Sequence, residues 1–439
     1  MPPCHQGHGG QGADDQHGSY SAMGGRSGPT GQTLRPRQGN SAFCNTGVMS
    51  VSPVPAQLPD PTATPGTAFG VYVHVPFCAS RCGYCDFNTY TAGELRGATP
   101  DGWLAAVRDE LALAGNMLGG IAVDSVFVGG GTPSVLGASR LADVLDAVRA
   151  GFELRNDVEI TTEANPESTS PEFFDDLLAA GYNRVSLGMQ SISARVLAVL
   201  DRVHSPGRAP AAAREALVAG FTHVNLDLIY GTPGESDADL LASVEAVLDA
   251  GVDHVSAYGL VVEDGTALAR RVRRGEVAAP DDDVLAHRYQ LIDQRLSAAG
   301  LHWYEVSNWS RPGGQCRHNE GYWGGGQWWG AGPGAHSFVG DLRWWNVKHP
   351  RTYADSLARG GIAVGGFERL DGRDRHTEQV LLGIRLGRGL AAAVLTEAER
   401  SRAWDAVSTG LLRHADDRFI LTDRGRLLAD AVVCGLLDD

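Results

Sequence analysis

The sequence predicts an α/β protein: a partial (β/α)6 barrel followed by a C-terminal α+β domain of winged-helix-like pattern. Three observations predict it. Between about residues 68 and 300, six short β-rich runs alternate with amphipathic stretches of helical period, the mark of a parallel sheet covered by helices. The runs are nearly continuous in apolar residues, as strands buried on both faces are. Polar and glycine-rich motifs directly follow the runs, at the carboxyl ends where α/β barrels keep their functional groups. The chain of 439 residues, 43% hydrophobic and 20% charged, has ample material for a globular core. Its net charge of −15 argues against a nucleic-acid or anionic-membrane partner, either of which needs a basic face. The local run Arg270, Arg271, Arg273 and Arg274 reads as the solvated end of a helix. No run of about 18 apolar residues is present to span a membrane.

Taken in order, residues 1–66 form a low-complexity tail rich in Gly, Gln, Ser and Pro, too poor in apolar residues to offset its ordering entropy. Cys4, Cys44, His5, His8 and His17 within it read as sparse residues of a disordered extension rather than a metal site, and Met49 is a candidate translation start. The barrel occupies 67–300. Its strands are expected at 70–75, 124–128, 158–163, 184–189, 223–229 and 254–260, with helices at 102–118, 139–150, 171–180, 210–219 and 238–250. An aromatic, glycine-rich segment follows over 301–365. The small domain covers 366–439, with a helix at 398–412, a strand at 418–421 and a helix at 422–433.

The densest chemistry follows the first strand, where Cys78, Cys82 and Cys85 form a C-x3-C-x2-C triplet. Cubane iron–sulfur clusters are normally held by four thiolates, so three leave one iron with an open position. A zinc site would add a second cysteine or histidine pair, and none follows; three incidental cysteines are the other alternative. The spacing resembles the signature of the radical S-adenosylmethionine superfamily. That resemblance implies a [4Fe–4S] cluster whose free iron chelates the amino and carboxylate groups of S-adenosyl-L-methionine. Seven cysteines in this length are too few for a disulfide scaffold, and an oxygen-sensitive cluster implies a reducing compartment. The N-terminus lacks the apolar core of a secretory signal, so a cytoplasmic location is expected.

Further polar groups end the later strands. Gly129-Gly130-Gly131-Thr132 follows the second, where glycines let backbone amides approach a ligand, although an ordinary tight turn would look the same. Glu163 ends the third and could accept bonds from ribose hydroxyls, as acidic residues do in dinucleotide folds. Gln190 ends the fourth, with Arg202 on the next helix, and Asp227 lies on the fifth. Each alone fits a capped loop or a surface pair; their succession at strand ends suggests a site. Together they resemble the oxygen-independent coproporphyrinogen III oxidase-like branch of the superfamily over 68–437. The resemblance implies cosubstrate contacts at Tyr72, Gly130, Gly131, Thr132, Glu163, Gln190, Arg202 and Asp227. Tyr84 would stand beside the cluster, and Gly259 is a weaker match on the sixth strand.

Two departures divide that branch. Oxidases carry a further cysteine two residues after the third, where this chain has Phe87. The chain also contains Cys316-Arg317-His318-Asn319-Glu320-Gly321-Tyr322-Trp323, whose H-N-x-x-Y-W pattern resembles the haem-binding motif of the HemW haem chaperones. An imidazole is a good axial ligand to haem iron, and Tyr322, Trp323, Trp328 and Trp329 could pack on a porphyrin face. From the residues alone, a buried histidine tied to backbone inside an aromatic cluster is the better reading. The resemblance implies a protein that binds haem through His318 and passes it to acceptor haemoproteins, those of a respiratory chain among them. The enzymatic alternative is oxidative decarboxylation of coproporphyrinogen III by a 5′-deoxyadenosyl radical, with Phe87 against it. A radical enzyme acting on RNA fits poorly with the acidic charge. Whether the cosubstrate is cleaved, or the cluster instead supports a homodimer or gates haem transfer, stays open.

Overall fold

The structure, a computed structural model, describes residues 58–203 and 205–437; the N-terminal cysteines and histidines singled out above and Met49 lie outside them. Strands and helices alternate from the start: β1 Phe69–Val75, α1 Pro100–Leu118, β2 Ala122–Gly130, α2 Gly137–Gly151, β3 Glu153–Ala164, α3 Pro171–Ala180 and β4 Arg184–Gln190. Next come α4 Ala194–Val199, α5 Arg208–Ala219, β5 His223–Tyr230, α6 Asp237–Ala250 and β6 His254–Gly259. β1 to β6 lie side by side in chain order, each parallel to the next, which is the predicted β/α series.

The sheet does not close. After α7 Ala267–Arg273 and α8 Asp282–Ala298, the strands β7 His302–Glu305 and β8 Asn308–Ser310 extend it antiparallel beyond β6. Then α9 Arg317–Trp323 leads into β9 Gln327–Ala331, which returns to pair parallel with β1. β10 His336–Val339, β11 Leu342–Asn346 and, after α10 Pro350–Leu357, β12 Val364–Arg369 complete an open sheet of 12 strands. The aromatic segment is therefore sheet, its tryptophans alternating across it. The last residues of the stretch read as tail are held here: Thr64 and Gln327 exchange two hydrogen bonds, at 2.9 and 3.0 Å.

The strands are two-faced, where the sequence suggested near-continuous apolar runs. Val71, Val73, Val126, Val128, Val185, Leu187, Val224, Leu226 and Val255 are buried toward the helices. The register places the other residues in rows on the opposite face: Gly70, Tyr72 and His74 beside Ser125, Phe127 and Gly129, with Glu159, Thr161 and Glu163 on β3. The rows continue through Arg184 and Ser186, Asn225 and Asp227, and His254 and Ser256. Period-2 alternation gives an apolar outside and a polar inside, as in barrels that hold a ligand. The covering helices start at clear signals: Thr99 caps α1 with Pro100 at its first position, and Ser236 and Asp239 form a capping box on α6.

The C-terminal part has its own core around Val380, Ile384, Leu390, Ala403, Phe419 and Val432. It comprises α11 Gly372–Gly383, β13 Leu390–Ala391, α12 Glu397–Ser408, β14 Leu412–Ala415, β15 Arg418–Leu421, α13 Asp423–Leu427 and α14 Ala429–Leu437, with strand order β13-β15-β14. The expected helix over 398–412 stops at Ser408 because Gly410 turns the chain at φ 73°. Leu412–Ala415 then pairs with Arg418–Leu421 through Asp416 and Asp417 at φ 49° and 56°, a two-residue hairpin turn. Arg426 ties this part to the barrel: its guanidinium bonds Asp293 at 2.7 and 2.8 Å and lies over the Trp303 ring. Among the described residues no helix is long and apolar enough to cross a membrane.

Candidate functional site

The cysteine loop leaves β1 and is anchored on several sides. Cys78 N–H donates to Tyr90 O (3.1 Å) and Tyr90 N–H to Pro76 O (2.7 Å), so the loop closes on itself. Gly83 donates to Leu200 O (3.0 Å) and accepts from Leu268 N–H (2.7 Å). Asn88 closes the far end, its amide donating to Pro333 O and Lys348 O while its carbonyl meets His74 Nε2 at 3.0 Å. Cys78, Cys82 and Cys85 are free thiols, all partly exposed. Thr132 Oγ1 approaches Cys78 Sγ and Arg202 Nη1 approaches Cys82 Sγ, both at 3.5 Å. Burial pushes the Cys78 thiol up, and that of Cys85 to about 11. Ligation to a cluster therefore displaces protons from them. Tyr84 packs, partly buried, against the apolar group of Val196, Leu200, Leu260 and Leu268, where desolvation raises its phenol.

The strand-end residues gather beside this loop. Gly130 has φ 112°, and a Cβ there would lie 2.5 Å from the His74 ring; a Cβ on Gly131 would meet Phe77 O at 2.6 Å and Cys78 Sγ at 3.1 Å. One glycine is needed for its backbone, the next for close approach to the cysteine loop. Glu163 accepts from Gly130 N–H at 2.9 Å, and burial raises its carboxyl to about 7. Gln190 sits at φ 60° where the β4–β5 register slips, and its buried Oε1 has no partner among the described residues. Arg202 Nε is equally unsatisfied, while its Nη2 donates to Gly188 O at 3.3 Å. Left-handed backbone and orphaned buried polar atoms are features that gather at ligand-binding positions. Asp227 accepts from Ser186 and from Asn225 (2.7 Å), and burial raises its pKa. Tyr72 Oη bonds His74 Nδ1 at 3.0 Å, and Gly259 ends β6 next to the Tyr230 ring. Three thiols of one loop and two orphaned polar atoms thus border the carboxyl ends of the strands, and among the described residues no three His, Cys, Asp or Glu side chains converge on a single metal ion.

His318 is not brought to that end. Its ring packs against Gly70 and Ser125, at the amino ends of β1 and β2, while the cysteine loop departs from Val75. Five strand residues separate the two levels, roughly 17 Å. The ring stacks on Phe127 (centroids 5.2 Å) and meets the Tyr322 edge at 4.8 Å. Nδ1 is 2.9 Å from Ser125 Oγ and Nε2 2.8 Å from Tyr322 Oη, so both nitrogens are bonded. Burial pulls its pKa down to about 3, leaving a neutral imidazole. Of the aromatic residues expected near a porphyrin, Trp328 lies edge-on to Tyr322 at 4.5 Å. Trp329 is corrected: it turns to the other face of β9 and is fully buried against Trp344, out of reach of any ligand.

The sequence reading missed the polar network joining the two levels. Glu159 Oε1 accepts from His318 N–H (3.2 Å) and Cys316 Sγ (3.4 Å), with Arg184 3.6 Å from its other oxygen. Cys316 N–H donates to Tyr304 Oη (3.2 Å), which reaches His254 Nε2 (2.8 Å). His254 Nδ1 meets Asn225 Oδ1 (2.7 Å), and Asn225 donates to Asp227. The available signal was a polar residue at every second position of otherwise apolar strands, as in Arg184-x-Ser186 and Asn225-x-Asp227.

Comparison with known proteins agrees with this geometry. Residues 72–247 match the Radical SAM superfamily. The chain is 67% identical over 383 residues to a protein of Mycobacterium tuberculosis (strain CDC 1551 / Oshkosh) named heme chaperone HemW, covering 87% of this chain and 98% of that one. It is 33% identical to the Escherichia coli (strain K12) protein of the same name, covering 83% and 96%. Among solved structures, the coproporphyrinogen III oxidase HemN of Escherichia coli superposes with a TM-score of 0.74 over 85% of this chain and 91% of that one; at 22% identity this likeness concerns the fold. With the cysteine triplet, its glycine rim and the His318 helix all in place, this chain belongs to the HemW family of the radical S-adenosylmethionine superfamily.

Proposed function

We propose that this protein is a haem chaperone, which binds haem with His318 as an iron ligand and passes it to acceptor haemoproteins. Cys78, Cys82 and Cys85 hold a [4Fe–4S] cluster, and S-adenosylmethionine lies across the carboxyl ends of β2 to β6. The observation that carries the reading is the H-N-x-x-Y-W helix packed into the barrel of a chain 67% identical to a protein named heme chaperone HemW. Phe87, half exposed in the cysteine loop, supports it against the oxidase, since the further oxidase cysteine is absent.

When bound, the cluster supplies a one-electron reductant and an open iron for the cosubstrate's amino acid moiety. The chain's own residues orient that cosubstrate. Gly130 and Gly131 keep the β2 loop low enough for it to approach, Glu163 and Asp227 accept hydrogen bonds from its hydroxyls, and Gln190 and Arg202 contribute their orphaned atoms. Arg202 also neutralises charge at Cys82, its guanidinium being 3.5 Å from that sulfur.

Haem titration of the wild type and His318→Ala, followed by ultraviolet–visible spectroscopy, tests the ligand. The variant is expected to bind at least tenfold more weakly or with a displaced Soret band, its cluster content unchanged. Identical affinity and spectrum would remove His318 from the iron.

A further inference from the structure

A haem ligand needs a bare imidazole nitrogen with a clear approach, and His318 has neither here. Its side chain is 3% exposed, Ser125 and Tyr322 occupy its two nitrogens, and Phe127 covers one face. A macrocycle cannot reach it in place. The helix that carries it is nevertheless built to move. α9 is seven residues long, and His318 is its only buried residue. Glycines flank it: Gly313 at φ 84° and Gly314 before Cys316, then Gly324, Gly325 at φ 76° and Gly326 after Trp323.

Beyond the ring contacts of His318 with Phe127 and of Tyr322 with Trp328, discrete polar pins hold it down. Glu159 accepts from the backbone of His318 and the thiol of Cys316, and Tyr304 accepts from Cys316 N–H. Ser125 holds the ring. At its outer side two partly exposed ion pairs complete the set: Arg317 with Asp157 at 3.1 Å, and Glu320 with Arg388 of the C-terminal part at 3.0 Å. Such pins give two discrete positions, closed and released, instead of a continuum.

We propose that α9 is a latched helix: haem is taken up when it lifts from β1 and β2, and Ser125, Glu159 and Arg388 hold the ligand closed until then. This rests on His318 being the haem ligand. The apparent affinity is then the intrinsic one multiplied by the released fraction, so weakening a pin raises both affinity and association rate. Most ligand sites lose affinity when a surrounding hydrogen bond is removed; a latch gains it.

The test is stopped-flow haem association with the full chain, cluster reconstituted anaerobically, comparing wild type, Ser125→Ala, Arg388→Gln and the double variant. Both residues lie outside the H-N-x-x-Y-W motif. Ser125→Ala should associate about fivefold faster, Arg388→Gln about twofold and the double variant about tenfold, all with the wild-type Soret position. Arg388 is half exposed, so its variant reports even if Ser125→Ala folds poorly. Rates equal to or below wild type in Arg388→Gln and the folded Ser125→Ala overturn the latch. His318→Ala in the same series separates the two claims. If it binds haem with unchanged rate and spectrum, the ligand assignment fails; if it loses the wild-type spectrum while the pin variants change nothing, only the latch fails. Amide exchange gives a second reading: on haem binding, residues 316–323 should exchange faster, and slower or unchanged exchange contradicts the release.

Discussion

Glu163 and Glu110 carry the clearest consequence of burial at single residues. Burial raises each carboxyl to about 7 from an ordinary 4.5. Glu110 sits under the sheet, bonded to Tyr353 Oη, Asn346 and Gly332 N–H, and holds the 332–334 loop next to Asn88. With the folded pKa above the unfolded one, the native state binds more protons between pH 4.5 and 7. Stability is therefore fully present below pH 4.5 and is lost as pH rises through 7, by up to about 3 kcal/mol per group. Melting temperatures followed from pH 5 to 8 should fall for the wild type and fall less steeply in Glu163→Gln, in which Glu110 still titrates; an unchanged slope would mean that Glu163 is already ionised. The cysteines, Glu163 and Gln190 stand out in the sequence because they sit at a fixed spacing or a strand end, whereas Asp227, inside β5, and Arg202, beyond the end of α4 rather than on it, were named through the resemblance. Glu159, Arg184 and His254 did not stand out, because alternation along a strand tells which face a residue takes and not which residue it meets. Their partners come from strands far apart in sequence.

At the scale of elements, the β2 loop and α9 decide what the barrel can hold. A Cβ on Gly131 would collide with Phe77 O and press on Cys78 Sγ, so Gly131→Ala should dislodge the cysteine loop. Iron and sulfide content after anaerobic reconstitution should fall well below half of wild type, while far-ultraviolet circular dichroism is preserved. Full cluster loading would show that the loop has room the geometry denies. The six β/α units were legible from periodicity alone, and their boundaries moved little except that β3 begins at Glu153, five residues before the expected start at 158. Where the reading strayed, tertiary pairing had overruled local propensity. The helix expected to run to 412 gave way to a hairpin once Leu412–Ala415 found Arg418–Leu421, and the aromatic segment became sheet by pairing with β1 and its neighbours. The single-sequence pattern of 327–346 is as compatible with a loop, because half of its aromatic residues face each way.

Across the whole molecule, the C-terminal part is fastened to the barrel at separate points. Arg426 reaches Asp293 and the Trp303 ring, Arg343 pairs with Glu378, and Arg388 pairs with Glu320 on α9. The first is the strongest, with the Arg426 side chain only 8% exposed. Arg426→Ala leaves Asp293 uncompensated and should cost about 3 kcal/mol, read as a lowered denaturation midpoint and faster proteolytic release of the chain beyond residue 370. Unchanged midpoint and proteolysis would make the contact decorative. The same arrangement gives the C-terminal part a hand on the helix bearing His318, which a fold built only for radical chemistry does not require. The central claim, that this radical-superfamily barrel serves as a haem carrier, is tested most directly by a haem titration of the cluster-loaded protein beside a coproporphyrinogen III turnover assay on the same sample. The account predicts stoichiometric haem binding and no protoporphyrinogen. Turnover without stable haem binding would contradict it, and would make Phe87 a tolerated variation in an oxidase.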